Sequence, residues 1–344
     1  VDAMGGDQAP GKIIDGALQA LELLDPEDQL ILVGNADIIR GHAGAAIDRA
    51  NAERNAAARV RIENASQIIT MDDSPVEAIR TKRDSSIVRM VKLGKEHQAD
   101  ALISAGNTGA LNAIAHFVLK TLPGVGRAAL NSAIPAAHGH TPMLDLGANT
   151  KATPEQLRQF AAMGAIISRD VYGLAAPRIG LLNIGEEDIK GHEVVQAAHA
   201  LLATSHLNYV GFVEGDDIFS GDVDVVVTDG FTGNVALKTM EGAAGLIADR
   251  MRREFRATWT GRLAGLAARP VLRRVAASLD PRRYNGACMV GLTGIVVKSH
   301  GRADGVAFAR AIITAALAAR RGLTAHIAQA LAAQGAATAQ GSTT

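Results

Sequence analysis

Four short apolar runs in this chain each end in a glycine-rich turn that carries Asn, Asp or Thr. They occupy residues 101–111 (ALISAGNTGAL), 143–149 (MLDLGAN), 179–187 (IGLLNIGEE) and 225–238 (VVVTDGFTGNVALK). In a parallel α/β sheet such loops lie side by side at the carboxyl ends of the strands, where ligands bind. Glycine lets the backbone approach a ligand closely, and free amides at a helix start favour an anion. The pattern therefore predicts a site for a phosphorylated or anionic substrate, held without a metal.

Composition excludes several classes of protein. Apolar residues make up 48% of 344 residues, which is typical of a globular chain and not of a disordered one. Zero net charge and 3% aromatic residues argue against nucleic-acid binding. The single cysteine, Cys288, rules out a disulfide framework and favours a reducing cytoplasm. The longest apolar stretches, such as 110–119, are too short to span a bilayer. The chain starts at VDAMGGD, from which we expect missing initiating residues and no signal peptide.

Strand-like and helix-like segments alternate over the whole length. Strands are predicted near 1–3, 29–33, 59–63, 99–103, 143–146, 178–184, 207–211, 224–228 and 289–297. Helices are predicted at 11–24, 85–97, 108–120, 154–172, 189–204, 234–255 and 303–321. Ser74 and Thr153 each precede a proline and have Glu or Gln three positions later, as helix N-caps do. This order predicts a doubly wound, mainly parallel sheet in one domain, 1–335, with one or two lobes, and a disordered tail, 336–344.

A basic segment at 250–283 breaks the charge balance. It holds ten arginines against Glu254 and Asp280, a local charge of +8. The arginines are Arg250, Arg252, Arg253, Arg256, Arg262, Arg269, Arg273, Arg274, Arg282 and Arg283. Trp259, Leu263, Leu266 and Leu279 follow helical spacing, and we expect Pro270 to divide the segment into two short helices that protrude from the domain. Arg252, Arg253, Arg273 and Arg274, with Trp259, Leu263 and Leu266, are the predicted contact surface for an anionic membrane, an acidic carrier protein or a second subunit.

Other motifs carry little chemistry. GVGRAA at 124–129 matches a dinucleotide loop but follows a helix and a proline instead of a strand, so no nucleotide is expected there. His138 and His140 are interpreted as turn residues, and the acidic run 186–188 as favourable charge near a helix start, so no metal site is predicted. No P-loop and no nucleophile elbow occur.

Two side chains in the four loops have the character of catalytic groups. Lys190 is predicted at a helix start, an uncommon place for a cation unless an anion faces it. Asn234 is predicted to open the next helix, with its amide directed into the same crevice. The alternatives are a solvated lysine and a simple helix cap.

Seven motifs together resemble the PlsX family of phosphate acyltransferases over residues 1 to about 321. They are VDAMGGD, KRDSS, SAGNTGAL, LDLGAN, GLLNIGEEDIKG, TDGFTGNVALKTMEG and YNGACMVGLTGIVVKSHG. The resemblance implies a Rossmann-like α/β/α fold, as in isopropylmalate dehydrogenases and phosphotransacetylases. It also implies a homodimer without a cofactor that makes acyl phosphate from acyl-[acyl carrier protein] and inorganic phosphate for phospholipid synthesis. One departure is Thr150-Lys151-Ala152, where the family usually has V-D-C.

The expected chemistry needs few special groups. Phosphate is already a nucleophile and a thiolate leaves readily, so the protein has to bind, position and stabilise an oxyanion. Lys190 and Asn234 are the predicted catalytic residues. The predicted substrate and phosphate contacts are Ser104, Gly106, Asn107, Thr108, Gly109, Asn149, Asp229 and Gly233. Asp229 is expected to orient Lys190 or a loop amide.

The expected location is the cytoplasm, peripherally at the inner face of the membrane, because the family passes its product to a membrane glycerol-3-phosphate acyltransferase.

Three other functions stay open at this stage. One is a phosphotransacetylase-like transferase that uses acyl-CoA, and another is a nicotinamide-dependent decarboxylating dehydrogenase. The third is a non-catalytic membrane or nucleic-acid adaptor that uses the arginine segment.

Overall fold

The computed structural model describes residues 1–52, 58–278, 280, 282 and 285–341. Strands and helices alternate along most of this part of the chain, which confirms the predicted α/β fold. The strands are β1 (Leu30–Gly34), β2 (Val60–Asn64), β3 (Ala101–Ser104), β4 (Ala129–Ala136), β5 (Gly139–Leu144), β6 (Ile179–Leu182), β7 (Tyr209–Val213), β8 (Val225–Val227), β9 (Ala287–Val290) and β10 (Ile295–Lys298). The helices are α1 (Gly11–Leu21), α2 (Ala36–Ala52), α3 (Pro75–Thr81), α4 (Ser86–Lys95), α5 (Thr108–Leu119), α6 (Pro154–Tyr172), α7 (Glu193–Ala203), α8 (Asp217–Ser220), α9 (Gly230–Ala257), α10 (Trp259–Ser278), α11 (Gly305–Arg320) and α12 (Leu323–Gly341).

The central sheet has eight strands in the order β3-β10-β9-β4-β5-β8-β6-β7, and β1 and β2 form a separate parallel pair. Neighbours are parallel on both flanks, whereas the three pairs β10–β9, β9–β4 and β4–β5 in the middle are antiparallel. Three reversals separate the flanks, so β3 and β10 run opposite to β5, β8, β6 and β7. The sheet is mostly parallel, but its two flanks point in opposite directions.

This topology corrects the expectation that all four glycine-rich loops lie at one edge of the sheet. The loops after β5, β6 and β8 share an edge, and the loop after β3 leaves from the other. The reason is that the segment interpreted as one strand over 289–297 is the hairpin β9–β10, and a strand not predicted, β4, forms a second hairpin with β5. Antiparallel hairpins reverse the chain without a helix between the strands, so the alternation of strands and helices did not reveal them.

Helices cover both faces of the sheet. One face carries α1, α6, α7, α11 and α12 over a core that includes Phe160 and Phe308. The other face carries α3, α4 and α5 over a core around Ile87, Leu111 and Ile114, and the early turns of α9 pack against it through Ala236 and Leu237. Both faces are therefore apolar, as a sheet with helices on each side requires.

Several predicted element bounds differ from the structure. Helix α7 begins at Glu193 instead of 189, which leaves Lys190 in the preceding loop, and α9 begins at Gly230 instead of 234, which makes Asn234 its fifth residue. Helices α2 and α12 were not predicted. The capping box at Thr153 is present, whereas the Ser74 side chain makes no cap hydrogen bond.

The basic segment also differs from its prediction. Pro270 lies inside the continuous helix α10 and does not divide it. We attribute the continuity to packing on α9, because Gly265 of α10 lies against the Phe255 ring. Leu279 and Arg283 lie outside the described residues. Helix α12 continues over 336–341, where a disordered tail was predicted, since its alanine-rich sequence has high helix propensity. Residues 342–344 of that tail lie outside the described residues.

Two helical glycines allow a test of the α1–α11 contact. A Cβ atom on Gly16 would lie 2.5 Å from the Gly305 carbonyl oxygen, whereas a Cβ on Gly44 in α2 would meet nothing within 4 Å. We expect Gly16→Ala to lower the free energy of unfolding by about 2 kcal/mol through overpacking. Gly44→Ala should raise it by about 0.5 kcal/mol because alanine favours the helix. Urea unfolding of both variants measures this, and equal effects would contradict the close contact.

Candidate active site

The loop after β5 is organised by one buried carboxylate, Asp145, which has no exposed surface. Its two oxygens accept hydrogen bonds from the backbone amides of Leu130 (2.9 Å), Gly147 (3.1 Å), Ala148 (2.9 Å) and Asn149 (2.7 Å). The Asn149 side-chain amide donates a fifth bond at 2.8 Å. Burial raises the pKa of Asp145, and these donors oppose that rise. The carboxylate thus replaces water as the acceptor for a whole turn of backbone.

Helix α9 begins directly on this loop. The Gly230 amide donates to the Asn149 carbonyl at 2.7 Å, and a Cβ on Gly233 would lie only 1.9 Å from the Asp145 carbonyl oxygen. Gly147 has a φ of +130°, and a Cβ there would lie 3.6 Å from the Asn234 side chain. No other residue type fits at 233 without moving the helix. The glycines thus bring Asn234 against the loop.

These contacts give Asn149, Gly233 and Asp229 structural roles. The Asn149 amide also donates to the Ala128 carbonyl at 2.7 Å. Asp229 is the N-cap of α9 and accepts hydrogen bonds from the Thr232 amide and hydroxyl, both at 2.9 Å. Asp229 thus caps its own helix, whereas its predicted partners were Lys190 or a loop amide. Both hydrogens of the Asn149 amide are engaged by the Ala128 and Asp145 oxygens, and Gly233 has no side chain to offer a substrate.

The loop after β3 is also held from within. The Ser104 hydroxyl donates to buried Asp2 at 2.6 Å and accepts from the Gly106 amide at 3.0 Å. The Asn107 side chain caps α5 by accepting from the Ala110 amide. Its nitrogen donates to the carbonyls of Thr70, Met71 and Asp73 at 3.0 to 3.2 Å. Since these side chains are engaged, the groups in 104–109 that could bind an anion are the backbone amides at the start of α5, at Thr108 and exposed Gly109.

The two flanks of the sheet meet through α5 and α9, although their strands run in opposite directions. The Asn112 amide of α5 donates to the Ala148 carbonyl in the loop after β5 at 3.2 Å. On α9, the Lys238 ammonium lies 3.4 Å from Nε2 of His300, which follows β10. Helix α9 therefore passes from the loop after β5, which Asn234 contacts, to the segment after β10, which Lys238 contacts, and the region along α9 between these two contacts is named the cleft.

Three buried charged residues near the cleft, Asp2, Asp145 and Lys298, are not among the predicted site residues. Buried Lys298 at the end of β10 donates to the carbonyls of Ala105, at 3.2 Å, and Ser299. Burial lowers the pKa of its ammonium to about 8, while Asp2 and Asp7 oppose the shift. In the sequence, Asp2, Asp145 and Lys298 stand out as charged residues within otherwise apolar strand segments. Because a buried charge needs a dedicated partner, this pattern could have marked them as structurally or functionally important.

Lys190 lies in the loop after β6, which shares its sheet edge with the loops after β5 and β8. Among the described residues its ionic partner is Glu187, 4.0 Å away, and its side chain is 45% exposed. Asn183 holds the loop by donating to the carbonyls of Gly185 (3.0 Å) and Lys190 (3.2 Å). The structure does not bring Lys190 into contact with Asn234, although their loops follow neighbouring strands.

Candidate metal ligands from the sequence have other contacts. His140 packs edge-on against Tyr172 with ring centroids 4.2 Å apart, and Asp188 lies 3.8 Å from Nε2 of His199. Within the described part of the chain, no group of three or more His, Cys, Asp or Glu side chains could hold a metal ion.

Helices α9 and α10 form an exposed hairpin beyond the cleft. Its large apolar side chains are open to solvent, with Trp259 73%, Leu263 57% and Leu266 64% exposed. Asp249 and three arginines, Arg252, Arg253 and Arg256, line a shallow surface depression on α9. None of the described helices is long and apolar enough to cross a membrane.

Comparison with known proteins places this architecture. The family model described as "Fatty acid synthesis protein" matches residues 1–326. A phosphate acyltransferase of Alkalilimnicola ehrlichii is 52% identical over 96% of this chain and 95% of its own, and one of Methylococcus capsulatus is 51% identical over 92% and 91%. The chain belongs to the phosphate acyltransferase family. Membership of this family makes it an enzyme of the acyltransferase class, and the resemblance seen in the sequence is confirmed.

Solved structures share the fold of this family member at low identity. A phosphotransacetylase from Streptococcus pyogenes has a TM-score of 0.59 at 16% identity, over 89% of this chain and 91% of its own. A branched-chain phosphotransacylase from Enterococcus faecalis has a TM-score of 0.56 at 14% identity, over 92% and 97%. The predicted relation to the phosphotransacetylase fold is confirmed.

The Asp145 network predicts a specific loss of stability. Asp145→Asn keeps the size of the side chain but replaces one accepting oxygen by a donor that faces backbone amides. We expect the free energy of unfolding to fall by about 3 kcal/mol, the scale for breaking a buried, charged hydrogen-bond network. Asp222→Asn, at an exposed carboxylate, is the control and should change it by less than about 0.5 kcal/mol. Equal stability of Asp145→Asn and wild type in urea would contradict the role given to the carboxylate.

Proposed function

We propose that the protein transfers a fatty acyl group from acyl-[acyl carrier protein] to inorganic phosphate, giving acyl phosphate for phospholipid synthesis. The observation that carries the proposal is the meeting of two loops from opposite sheet edges around α9. There the exposed Asn234 side chain lies against Gly147, and Lys238, one turn further along α9, contacts His300 after β10. The names of the relatives support phosphate as the acyl acceptor.

The reaction needs positioning and charge stabilisation more than acid–base groups. An oxygen of phosphate attacks the thioester carbonyl carbon, and the carbonyl electrons move onto oxygen in a tetrahedral intermediate. The carbonyl then re-forms as the C–S bond breaks, and the thiolate leaves and takes a proton from solvent. Donors aimed at the carbonyl oxygen stabilise the charge that develops there.

Asn234 and Lys190 are the proposed donors to this charge. Asn234 makes no side-chain hydrogen bond among the described residues, and its position is fixed by the glycines of α9 and the loop after β5. Lys190 stands on the loop after β6 at the same sheet edge, and its exposed ammonium is only weakly paired with Glu187. Backbone amides at Thr108 and Gly109 face the phosphate, since the side chains of Ser104 and Asn107 hold the loop itself.

A second candidate is the same transfer from acyl-CoA. The fold shared with phosphotransacetylases favours it. The two candidates differ in the acyl donor. A carrier protein presents a large acidic surface, which the arginines of α9 and α10 complement, whereas recognition of the much smaller CoA does not require so extended a basic surface.

The α9–α10 hairpin is the proposed contact with the inner face of the cell membrane. Trp259, Leu263 and Leu266 enter the interface, while Arg252, Arg253, Arg273 and Arg274 contact anionic headgroups, each contributing about 1 kcal/mol. A long-chain acyl phosphate partitions into membranes, so a docked enzyme delivers it to a membrane glycerol-3-phosphate acyltransferase.

We further propose a homodimer, in which exposed apolar residues of α9 such as Leu246 and Ile247 pack on the partner.

Incubation with labelled phosphate and either thioester tests the activity. We expect acyl phosphate from long-chain acyl-[acyl carrier protein], with a higher kcat/KM than from acyl-CoA, and undiminished turnover in EDTA. Absence of acyl phosphate with both donors would overturn the proposed function. A higher kcat/KM with acyl-CoA would support the second candidate.

Alanine variants test the two proposed catalytic residues. Lys190→Ala and Asn234→Ala should each lower kcat by about 10²–10³, the scale for one preorganised donor. Both residues are exposed, so the folded state should persist, as circular dichroism would verify. Lys95→Ala, at an exposed lysine of α4, is the control and should keep the wild-type rate. A wild-type rate in either of the first two variants would show that the residue is not catalytic: Lys190 would then be a solvated charge, or Asn234 an ordinary helix residue.

Liposome sedimentation tests the membrane contact. Replacing Trp259 and Leu263 by Asp should abolish binding to anionic vesicles and leave turnover of soluble acyl-[acyl carrier protein] nearly intact. Phe117→Asp alters an equally exposed aromatic residue on α5 and should change neither. If the double variant loses turnover but still sediments with vesicles, the hairpin serves carrier-protein docking or the dimer instead.

A further inference from the structure

The segment that follows β10, Ser299 to Arg302, is beside the proposed site but has no assigned contact with substrate. Its His300 meets Lys238 of α9, and the distance between Nε2 and Nζ is 3.4 Å. These two side chains come from segments 62 residues apart and are both exposed to the cleft. The contact depends on the position of α9. The first turn of this helix packs on the loop after β5, and this packing fixes the position of the third turn, which carries Lys238.

The protonation of His300 makes this contact unusual. The backbone amide of Arg302 donates to Nδ1 of His300 at 3.1 Å, so the neutral ring carries its proton on Nε2. Removal of the ring from water and the nearby Lys238 lower the pKa of His300, which favours this neutral form. Nε2–H and the Lys238 ammonium are then both donors and do not satisfy each other. One oxygen atom of an oxyanion between them would accept from both at ordinary distances of about 2.8 Å.

A second cation, Lys298, lies near this pair. Lys298 is buried and spends two of its N–H groups on the carbonyls of Ala105 and Ser299. Carboxylates near the cluster are already engaged: Glu241 accepts from Lys238 at 2.7 Å, Asp7 lies 3.7 Å from Arg302, and Asp2 accepts from Ser104. A bound oxyanion would offset the cost of burying Lys298 and of placing Lys238 beside it.

The cluster also has the right position relative to the proposed donor of the oxyanion hole. Asn234 and Lys238 are four residues apart on α9, so they share a face of the helix with Cβ atoms about 6 Å apart. Asn234 faces the loop after β5, and Lys238 faces the loop after β10. A nucleophile held at Lys238 would therefore lie within one helical turn of the group that stabilises the attacked carbonyl.

We propose that Lys238 and His300, with Lys298 near them, bind the inorganic phosphate that accepts the acyl group. This inference rests on the proposed function and places the phosphate between α9 and the loop after β10. Ala105, whose carbonyl accepts from Lys298, connects the cluster to the loop that leads into α5. The side chains of the cluster, and not those of Ser104 and Asn107, supply the charge.

The test compares Lys238→Met and His300→Asn with wild type. Asparagine keeps an acceptor for the Arg302 amide but removes the Nε2–H donor. Steady-state kinetics with varied phosphate should show KM for phosphate raised about tenfold in each variant, the equivalent of one charge-assisted hydrogen bond. KM for the acyl thioester should stay within about twofold. Lys95→Met, on α4, is the matched control and should leave both constants unchanged.

Direct titration of inorganic phosphate, without any acyl donor, separates this inference from the proposed function. Calorimetry should give a dissociation constant about tenfold weaker for each variant than for wild type, whether or not acyl phosphate is formed. Unchanged phosphate affinity in both folded variants would overturn the inference even if the enzyme turns over. A rise confined to KM for the thioester would also overturn it, because the cluster would then bind a phosphate group of the donor.

Discussion

The buried carboxylate of Asp145 is the interaction on which the arrangement of the site depends. It accepts five hydrogen bonds, one from Leu130 of β4 and four from Gly147, Ala148 and Asn149, and so fixes the turn that follows β5. Helix α9 begins on that turn at a distance that only glycine at 233 permits. Because a helix is rigid over several turns, this single contact sets both Asn234 and Lys238. A substitution of buried Asp145 is therefore expected to displace both Asn234 and Lys238.

The antiparallel centre of the sheet explains how the cleft forms. In a wholly parallel sheet all functional loops leave from one edge. Here three successive antiparallel pairings, β10–β9, β9–β4 and β4–β5, reverse the direction of β3 and β10 relative to β5, β6 and β8. The loops of the two flanks meet only because α5 and α9 extend along the same face. Asn234 and glycine backbone therefore lie at one end of the cleft, and Lys238 and His300 at the other.

Helix α9 links the cleft to the surface that we assign to the membrane. Its first turns are packed on the core through Ala236 and Leu237, whereas its later turns and α10 are exposed. Helix α9 thus carries the residues proposed for chemistry near its start and Arg252 and Arg253 near its end, and it leads into α10, which carries the other residues proposed for docking. This arrangement would place the proposed amphiphilic product close to the bilayer on release.

The sequence by itself determined the α/β class, the family and the loops that build the site, since apolar periodicity, glycine positions and long motifs are local properties. It also indicated Asn234 and Lys190 by residue type. Strand direction, the continuity of α10 through Pro270 and the distant partners of Asn107 and Asn149 were decided by tertiary structure. Hairpins and hydrogen bonds between distant segments depend on which parts of the chain meet, and no local pattern encodes that. The pairing of Lys238 with His300 is of this kind: each is an ordinary polar residue in the sequence, and only the docking of α9 makes them neighbours.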